Sequence, residues 1–528
     1  MTATPWGFRD ILPEEAQARE EIALTVKGCF REHHYLPVET PLLEDKGSLE
    51  EGGRIADTPF KLFDDDGRLL VVRPDNTLSI VRLVSTRMRA ADLPLRLRYE
   101  APVVRECQSN AGGSRQFTQL GFELIGAGDT AGDVEIVSLV AEAVRKLALP
   151  DARIIAGSVR PFKELLAACE DRELAAEALR CVHANDFVGL DARVAASVES
   201  DAVKAAICEL PRLHGGAEVL DRVDTLLEAA GIVAPLTREL RALVECLAPE
   251  DAQVLSFDFS IMNSFDYYTG LVFKAYAGGL PDPVGSGGRY DSIFTGAFGD
   301  GIEVPAAGFA FSLERLEAAG LDVSELRDPG RHLIVRGCDM RAGEGAVGDI
   351  EFVIVRPSDA PAFVGCGGAD CGICGWDSLI EADLNLLQLV DLGYGLCTFI
   401  EAEPAWRAGQ AERNYARRGS LRVATKYPRI ASAWYAERGV NADIVSLHGN
   451  IELGPIVGMT DRIVDITATG ATLRDNDLVI TGRIMDCTAR FFVNPGAARL
   501  DPRVRNLADR LAVAVKDKHF DPVAGSAQ

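Results

Sequence analysis

Gln116-Phe-Thr-Gln-Leu-Gly-Phe-Glu-Leu-Ile125 reads as a β-strand with period-two alternation. Successive side chains of an extended chain point to opposite faces, so Gln119, Gly121 and Glu123 share one face. An amide and a carboxylate with glycine between them make a niche for a cationic, hydrogen-bonding ligand. From these residues alone, a solvated sheet face carrying a surface pair reads equally well. Three further segments put polar residues where a buried sheet wants apolar ones: Arg73-Pro-Asp-Asn-Thr77, Arg105-Glu-Cys-Gln108 and Phe265-Asp-Tyr-Tyr-Thr-Gly270.

Outward from this strand, Glu14 to His34 carry Ile22, Val26, Cys29 and Phe30 at helical spacing. Short strands are predicted at Phe60-Lys-Leu-Phe63, Leu69-Leu-Val-Val-Arg73 and Leu95-Arg-Leu-Arg-Tyr-Glu100, with a turn at Asp64-Asp-Asp-Gly67. Residues 130 to 250 are mostly helical in pattern. Strand character returns at Ala252 to Phe259 and at Gly270-Leu-Val-Phe-Lys-Ala-Tyr276. Pro281 to Gly288 reads as a Pro/Gly-rich loop, and Gly308-Phe-Ala-Phe-Ser-Leu-Glu-Arg-Leu316 as the opening of a helix. The unit is α+β with an antiparallel sheet, ending near residue 320.

Leu326-Arg-Asp-Pro-Gly330 is a linker in composition. Beyond it, apolar strands alternate with helices: His332-Leu-Ile-Val335, Glu351-Phe-Val-Ile-Val355, Leu421-Arg-Val-Ala-Thr425, Ala442-Asp-Ile-Val445 and Arg462-Ile-Val-Asp-Ile466. That alternation predicts parallel sheets in an α/β domain. The sharpest motif is Ile463-Val-Asp-Ile-Thr-Ala-Thr-Gly-Ala-Thr472. A buried β-branched run ends at Asp465, and small and hydroxyl residues follow before a helix from Leu473. Small residues let backbone N–H groups approach a phosphate, and Thr469 and Thr472 add hydroxyl donors. An ordinary Thr/Gly turn capping a helix is the alternative for this motif in isolation.

With 528 residues and an apolar fraction of 47%, two or three domains with sizeable cores are expected. No apolar run reaches the roughly 18 residues of a membrane span, and the N-terminus lacks secretory character. A cytoplasmic protein is expected. The formal net charge of −24 opposes binding to nucleic acid, whose affinity rests on Lys and Arg displacing counterions. The 12 cysteines are scattered and expected to be reduced. Cys366 and the pair Cys371 and Cys374 have zinc-like spacing but no second pair, and Ala369 to Gly375 reads as a short buried strand. No bound metal is assigned to them.

The polar segments, together with Gly7-Phe-Arg-Asp-Ile-Leu-Pro13, Gly285-Ser-Gly-Gly-Arg-Tyr-Asp291 and Gly308 to Arg315, resemble in order the catalytic core of histidyl-tRNA synthetase, over roughly residues 5 to 320. The resemblance implies a class II synthetase-like antiparallel sheet domain and a histidine pocket lined by Asp75, Thr77, Arg105, Gln119, Glu123 and Tyr268. Carboxylates suit the ammonium and imidazole, and arginine suits the carboxylate. Two cations of the synthetase pattern are replaced: Asn263 stands before Ser-Phe-Asp-Tyr-Tyr268, and Arg105 is followed by Glu-Cys-Gln-Ser109. No anticodon-binding domain follows. The pattern is closer to the synthetase-like regulatory subunit of ATP phosphoribosyltransferase, which implies histidine binding without activation.

Behind the linker, Val355-Arg-Pro-Ser-Asp-Ala-Pro361, Ala369 to Asp377, Leu421-Arg-Val-Ala-Thr-Lys-Tyr-Pro428, His448-Gly-Asn-Ile-Glu-Leu-Gly-Pro455 and the Asp465 motif are similar, in order, to short-form ATP phosphoribosyltransferase. The resemblance implies a two-lobed α/β domain of the periplasmic-binding-protein type. It implies that Asp465 and Glu452 address the ribose and magnesium, and that Thr467, Ala468, Thr469, Gly470, Ala471 and Thr472 cradle the 5′-phosphate of phosphoribosyl pyrophosphate. Arg331, Arg356 and Lys426 would meet the ATP or pyrophosphate charges. The Pro-Lys-Gly-Arg-type loop of that family is absent, and a missing first strand would leave a gap in the first lobe's sheet. Trp376 stands where the family often has a lysine.

The expected division is a first domain over 1–325, a linker at 326–330, a second domain over 331–520 and a tail at 521–528. The expected function is the first step of histidine biosynthesis under feedback by histidine, in a homo-oligomer. The alternative is a non-catalytic histidine sensor serving a separate catalytic chain.

Overall fold

A computed structural model describes residues 4–47, 60–88, 92–106, 114–128, 130–233, 235–261, 268–294, 304–320, 333–337, 346–347, 350–467, 473 and 476–516. The chain divides into two compact units, Met1–Arg331 with Pro495–Asp501, and His332–Asn494 with Pro502–Gln528.

The first unit begins with helix α1 (Pro13–Glu32), whose first turn holds Pro13, Glu14 and Glu15, where a missing N–H costs nothing and negative charge meets the helix dipole. Strands β1 (Leu36–Pro37), β2 (Leu43–Asp45), β3 (Lys61–Phe63) and β4 (Leu69–Val72) follow, then helix α2 (Thr77–Arg87). Strands β5 (Leu95–Val104) and β6 (Gln116–Ile125) form a long hairpin, and α3 (Thr130–Lys146) and β7 (Arg153–Ser158) come next. Among the described residues, seven helices, α4 to α10, lie between Arg160 and Ala252, with β8 (His214–Gly215) among them. The unit closes with β9 (Leu255–Asp258), β10 (Leu271–Tyr276), β11 (Gly285–Arg289), β12 (Ala306–Ser312) and α11 (Leu313–Gly320).

Nine of these strands form one sheet in the order β1-β5-β6-β12-β11-β10-β7-β9-β8, mostly antiparallel, with parallel pairs at β1/β5 and β7/β9. One face is the apolar core. Val26, Cys29 and Phe30 of α1 are buried there, Phe30 meets Phe122 edge-on at 5.0 Å between centroids, and Phe273 stacks on Phe309 at 5.0 Å. Each such ring contributes roughly 1.5–3 kcal/mol by leaving water. Arg19 ties α1 to α11 through Glu314 at 2.6 Å.

Two expectations fail in this unit. Residues 308–312 are strand, and the helix starts only at Leu313. Phe309 and Phe311 alternate with period two, and pairing with β6 and β11 overrides helical propensity. Gly285–Gly288 is likewise a strand rather than a loop. A Cβ at Gly288 would lie 2.5 Å from the Leu271 carbonyl, so glycine is what lets these strands approach.

The second unit contains two sheets. Strands β13 (Leu333–Gly337), β14 (Ala346–Val347), β15 (Ile350–Phe352), β16 (Cys371–Gly375) and β17 (Leu387–Asp391) belong to the first, with helices α12 (Ala360–Gly365) and α13 (Trp376–Ala382) between them. The second comprises β18 (Cys397–Pro404), β19 (Leu421–Thr425), β20 (Ala442–Ser446), β21 (Arg462–Thr467) and β22 (Leu478–Cys487), with helices α14 (Gln410–Arg418), α15 (Pro428–Glu437) and α16 (Leu453–Ile456). Strand β23 (Ala489–Val493) returns to the first sheet; the helix after it, α17 (Pro495–Leu500), belongs to the first unit, and α18 (Pro502–Lys516) belongs to the second. The orders are β14-β15-β13-β16-β23-β17 and β20-β19-β21-β18-β22.

The sheets are mixed, not parallel as expected. β13 runs parallel to β15 and β16, but β23 is antiparallel to β16 and β17, and β18 is antiparallel to β21 and β22. The strands that pass between sheets enter against the others, which an alternating sequence pattern does not reveal. Among the described residues the first sheet is continuous, with β13 between β15 and β16. The strand expected over 351–355 extends only to Phe352. Among the described residues no helix is long and apolar enough to cross a membrane.

Candidate functional site

In the first unit Glu123 is 1% exposed, and its carboxylate is the hub of a polar network. Thr77 Oγ1 donates to Oε1 at 2.8 Å, Tyr99 donates to the same oxygen at 3.3 Å, and Tyr290 donates to Oε2. Burial pushes the Glu123 carboxyl up to about 8; the three hydroxyl donors hold it back, and the charge of Asp75 adds to the rise. The space exists because the opposing residue is Gly308, where any Cβ would overlap Glu123 Oε2.

Asp75 precedes α2, and its Oδ1 accepts the Thr77 N–H at 2.7 Å. Its Oδ2 accepts from Arg105 at 3.3 Å and from Gln119 at 3.4 Å, while Gln119 Oε1 accepts the Asn76 N–H at 3.0 Å. Arg105 also donates to the Pro74 carbonyl at 2.8 Å and lies over the Phe117 ring. Tyr268 is buried with its ring over Gly288, which pairs with Gly308, which pairs with Glu123. Asp75, Thr77, Arg105, Gln119 and Glu123 thus form one network, with Tyr268 two strands away on the same face. Tyr99 and Tyr290 were not among the expected pocket residues. Tyr99 was legible as the inward position of β5 opposite Gly121. Asn263 and the segment 107–110 lie outside the described residues.

In the second unit three candidates converge. Asp465 lies near the end of β21, and its carboxyl is raised by burial and further by the charge of Glu452; the Ile466 N–H at 2.8 Å and the Lys426 charge oppose the rise. Lys426 follows β19, with its ammonium 5.9 Å from the centre of the Tyr427 ring. Asp377, at the start of α13, is also raised by burial and held back by N–H groups and Lys426. The Tyr427 hydroxyl is pushed up by burial and then by the charges of Asp377 and Asp465. The ends of β21 and β19 and the starts of α13 and α16 therefore gather carboxylates around one exposed ammonium. Asp377 and Tyr427 were not among the expected site residues, although both stand inside the quoted motifs.

Beneath this cluster Arg462, at the start of β21, reaches Glu403 at 3.0 Å, Glu401 at 3.1 Å and Glu412. Tyr435 and Thr481 also donate to Glu401. Arg356 is exposed ahead of α12, where its carbonyl accepts the Asp359 N–H at 2.9 Å. Thr467 ends β21 opposite Thr398. Arg331 and Ala468, Thr469, Gly470, Ala471 and Thr472 lie outside the described residues. Cys371 and Cys374 are buried in β16, and no group of three or more potential metal ligands occurs among the described residues.

The nine-stranded sheet with its polar pocket is a class II synthetase-like domain, and residues 7–316 match the histidyl-tRNA synthetase family. Residues 356–513 match the ATP phosphoribosyltransferase family. The ATP phosphoribosyltransferase regulatory subunit of Moorella thermoacetica is 36% identical over 64% of this chain and 87% of its own length. The ATP phosphoribosyltransferase of Rubrobacter xylanophilus is 46% identical over 42% of this chain and 98% of its own. A crystal structure of an ATP phosphoribosyltransferase regulatory subunit/histidyl-tRNA synthetase from Bacillus halodurans aligns over 64% of this chain and 87% of that one, at 29% identity and TM-score 0.56. The chain belongs to the histidyl-tRNA synthetase family in its first unit and to the ATP phosphoribosyltransferase family in its second. Both M. thermoacetica and R. xylanophilus have a regulatory subunit and a transferase as separate chains.

The R. xylanophilus match has a structural consequence. A stretch of 42% of the chain, even one ending at Gln528, begins in β12 or before it. The residues matched to the opening of that transferase therefore lie in the first unit.

Proposed function

We propose that the chain catalyses the first step of histidine biosynthesis and carries its own histidine sensor. N1 of ATP attacks the anomeric carbon of phosphoribosyl pyrophosphate, the bond to pyrophosphate breaks, and phosphoribosyl-ATP forms. The observation that carries this reading is the convergence of Asp465, Glu452 and Lys426 at the end of β21, within a stretch of the chain that matches nearly the whole length of a known transferase. Bond breaking ahead of bond making leaves positive charge on the ribose, which the Asp465 carboxylate is placed to oppose. Lys426 meets the anionic part of the substrates. Catalysis is then positioning plus charge stabilisation.

Magnesium fits this site. Asp465 and Glu452 offer hard oxygen ligands, and such an ion typically takes one or two carboxylates and completes its shell with water and phosphate oxygens. When bound, it neutralises the departing pyrophosphate. The two sheets, joined by strands that cross between them, support the two-lobed periplasmic-binding-protein type of domain. Histidine in the Glu123 pocket would inhibit by binding one state of the catalytic cleft better than the other, which requires differential affinity. The setting is the cytoplasm, in a homo-oligomer.

One observation favours a second reading, a regulatory chain acting on a separate catalytic subunit: the residues matched to the transferase's opening are folded into the first unit, without a Pro-Lys-Gly-Arg loop. Purified chain incubated with ATP, phosphoribosyl pyrophosphate and magnesium separates the two. Histidine-sensitive formation of phosphoribosyl-ATP is the expected result. Product that appears only when a catalytic chain is added establishes the second reading instead.

A further inference from the structure

Among the described strands of the second unit, the chain passes between the two sheets twice. It leaves the first sheet after β17, crosses at 392–396 and enters the second at Cys397; it leaves the second at Cys487, crosses at Thr488 and re-enters the first at β23. Cys397 and Cys487 are therefore the residues of the second sheet next to the two crossings. They are also direct cross-strand partners in the antiparallel pair of β18 and β22.

Directly opposed residues of an antiparallel pair have Cα atoms about 4.5–5.5 Å apart. A disulfide accepts roughly 4.4–6.8 Å, so the backbone already satisfies its main requirement. The structure holds both as free thiols, Cys487 buried and Cys397 partly exposed. Both pack in the core that contains Phe399, Tyr427 and Val464. We propose that Cys397 and Cys487 form a reversible cross-strand disulfide under peroxide, which fixes the two crossings to each other and restrains movement of one sheet against the other.

The chemistry balances with hydrogen peroxide as oxidant. The Cys397 thiol gives up its proton, the thiolate attacks one peroxide oxygen and the O–O bond breaks; the hydroxide that leaves takes up that proton as one water, and Cys397 is left as a sulfenic acid. The Cys487 sulfur then attacks the Cys397 sulfur, the S–O bond breaks, and the second water carries away the Cys487 proton. Two thiols lose two electrons in all, and the peroxide gains them. The order of events follows from position. Cys397 is the sulfur that solvent reaches, and the hydrogen bond from Cys487 lowers its thiol, while Cys487 is raised by that same bond and by burial. Neighbouring contacts already join the crossings: the Leu392 N–H donates to the Ala489 carbonyl at 2.9 Å, and the Ala489 N–H to the Tyr394 carbonyl at 2.9 Å.

Disulfide formation does not depend on the proposed enzymatic activity, so the test reads the bond and the backbone rather than turnover. Full-length protein is titrated with hydrogen peroxide, free thiols are alkylated, and non-reduced peptides are mapped by mass spectrometry. The expected product joins the peptides of Cys397 and Cys487, is 2 Da lighter than the dithiol, and is restored by dithiothreitol. Hydrogen exchange at 392–396 should slow by about tenfold in the oxidised form. C397S and C487S should each abolish the crosslink and the slowing. The proposal is overturned if the exposed Cys246 and Cys366 are fully oxidised while 397 and 487 remain unlinked, or if the link forms without changing exchange at the crossings. The wild-type map decides the matter even if C487S fails to fold.

Discussion

Tyr290 donates its phenolic hydrogen to Oε2 of Glu123 across strand β12, the oxygen that any Cβ at Gly308 would overlap. The pocket therefore depends on a missing side chain as much as on those present. Gly308→Ala should displace Glu123 and break at least one of its hydroxyl contacts. Overpacking of this kind costs about 1–3 kcal/mol. The expected result is a lower unfolding temperature for the first unit and loss of calorimetrically detectable histidine binding. A variant that binds histidine with unchanged affinity would remove Glu123 from the site.

Glu123 also makes the stability of the first unit depend on pH. Its folded value of about 8 stands above the ordinary carboxylate range. The folded state then holds a proton that the unfolded chain has released. The contribution is complete below the unfolded value and is lost as pH rises toward 8. Urea midpoints should fall from pH 6 to pH 8, and Glu123→Gln should flatten that fall. Binding of a cationic ligand would favour the carboxylate, so histidine uptake at pH 7 should release up to one proton. Calorimetry in two buffers of different ionisation enthalpy measures it, and Glu123→Gln should abolish the release.

How far the sequence spoke for itself depends on how local the signal was. The face shared by Gln119, Gly121 and Glu123 follows from strand period alone, and the network of Asp75, Thr77, Arg105, Gln119 and Glu123 links the very motifs that share one order in the chain. Tyr290 reaches Glu123 only because β11 and β6 flank β12, a pairing set by tertiary structure. The strand at 308–312 looks like a helix start in sequence because its glycine and the Leu-Glu-Arg run after it imitate one. In the second unit the strands were legible but their directions were not. An apolar run carries no mark of whether its partner runs parallel, and β18, β22 and β23 are fixed by the crossings between sheets. Cys397 and Cys487 are 90 positions apart in sequence and became neighbours only through that topology.

Arg462 stands between Glu401 and Glu403, both nearly fully buried, so its removal would leave carboxylates without a cation. Breaking a buried ion pair by deleting one partner costs roughly 3–5 kcal/mol, whereas replacing the whole group with apolar residues costs far less. Arg462→Met alone should lower the unfolding midpoint of the second unit strongly. Joint replacement by Arg462→Met, Glu401→Gln and Glu403→Gln should restore much of it. Chemical unfolding monitored through Trp434, which lies beside Gly482 of the neighbouring strand, reports this unit. Equal loss in the single and triple variants would mean that packing of the arginine stem matters more than charge.

Asp465 and Glu452 should be separable by the pH dependence of turnover. If Asp465 must be ionised to oppose charge on the ribose, Asp465→Asn should reduce kcat/KM by about 10²–10³-fold, in line with loss of one preorganised charge, while histidine uptake is unchanged. Burial, and then the Glu452 charge, raise the Asp465 carboxyl, so the acid limb of the wild-type profile should lie above that of an ordinary aspartate. Glu452→Gln removes the like charge, and the acid limb should then move to lower pH even if the plateau rate falls. A profile whose acid limb is unmoved in Glu452→Gln would show that the limb does not report the Glu452 charge on Asp465, and Asp377, also raised by burial and held back by Lys426, is the next to replace.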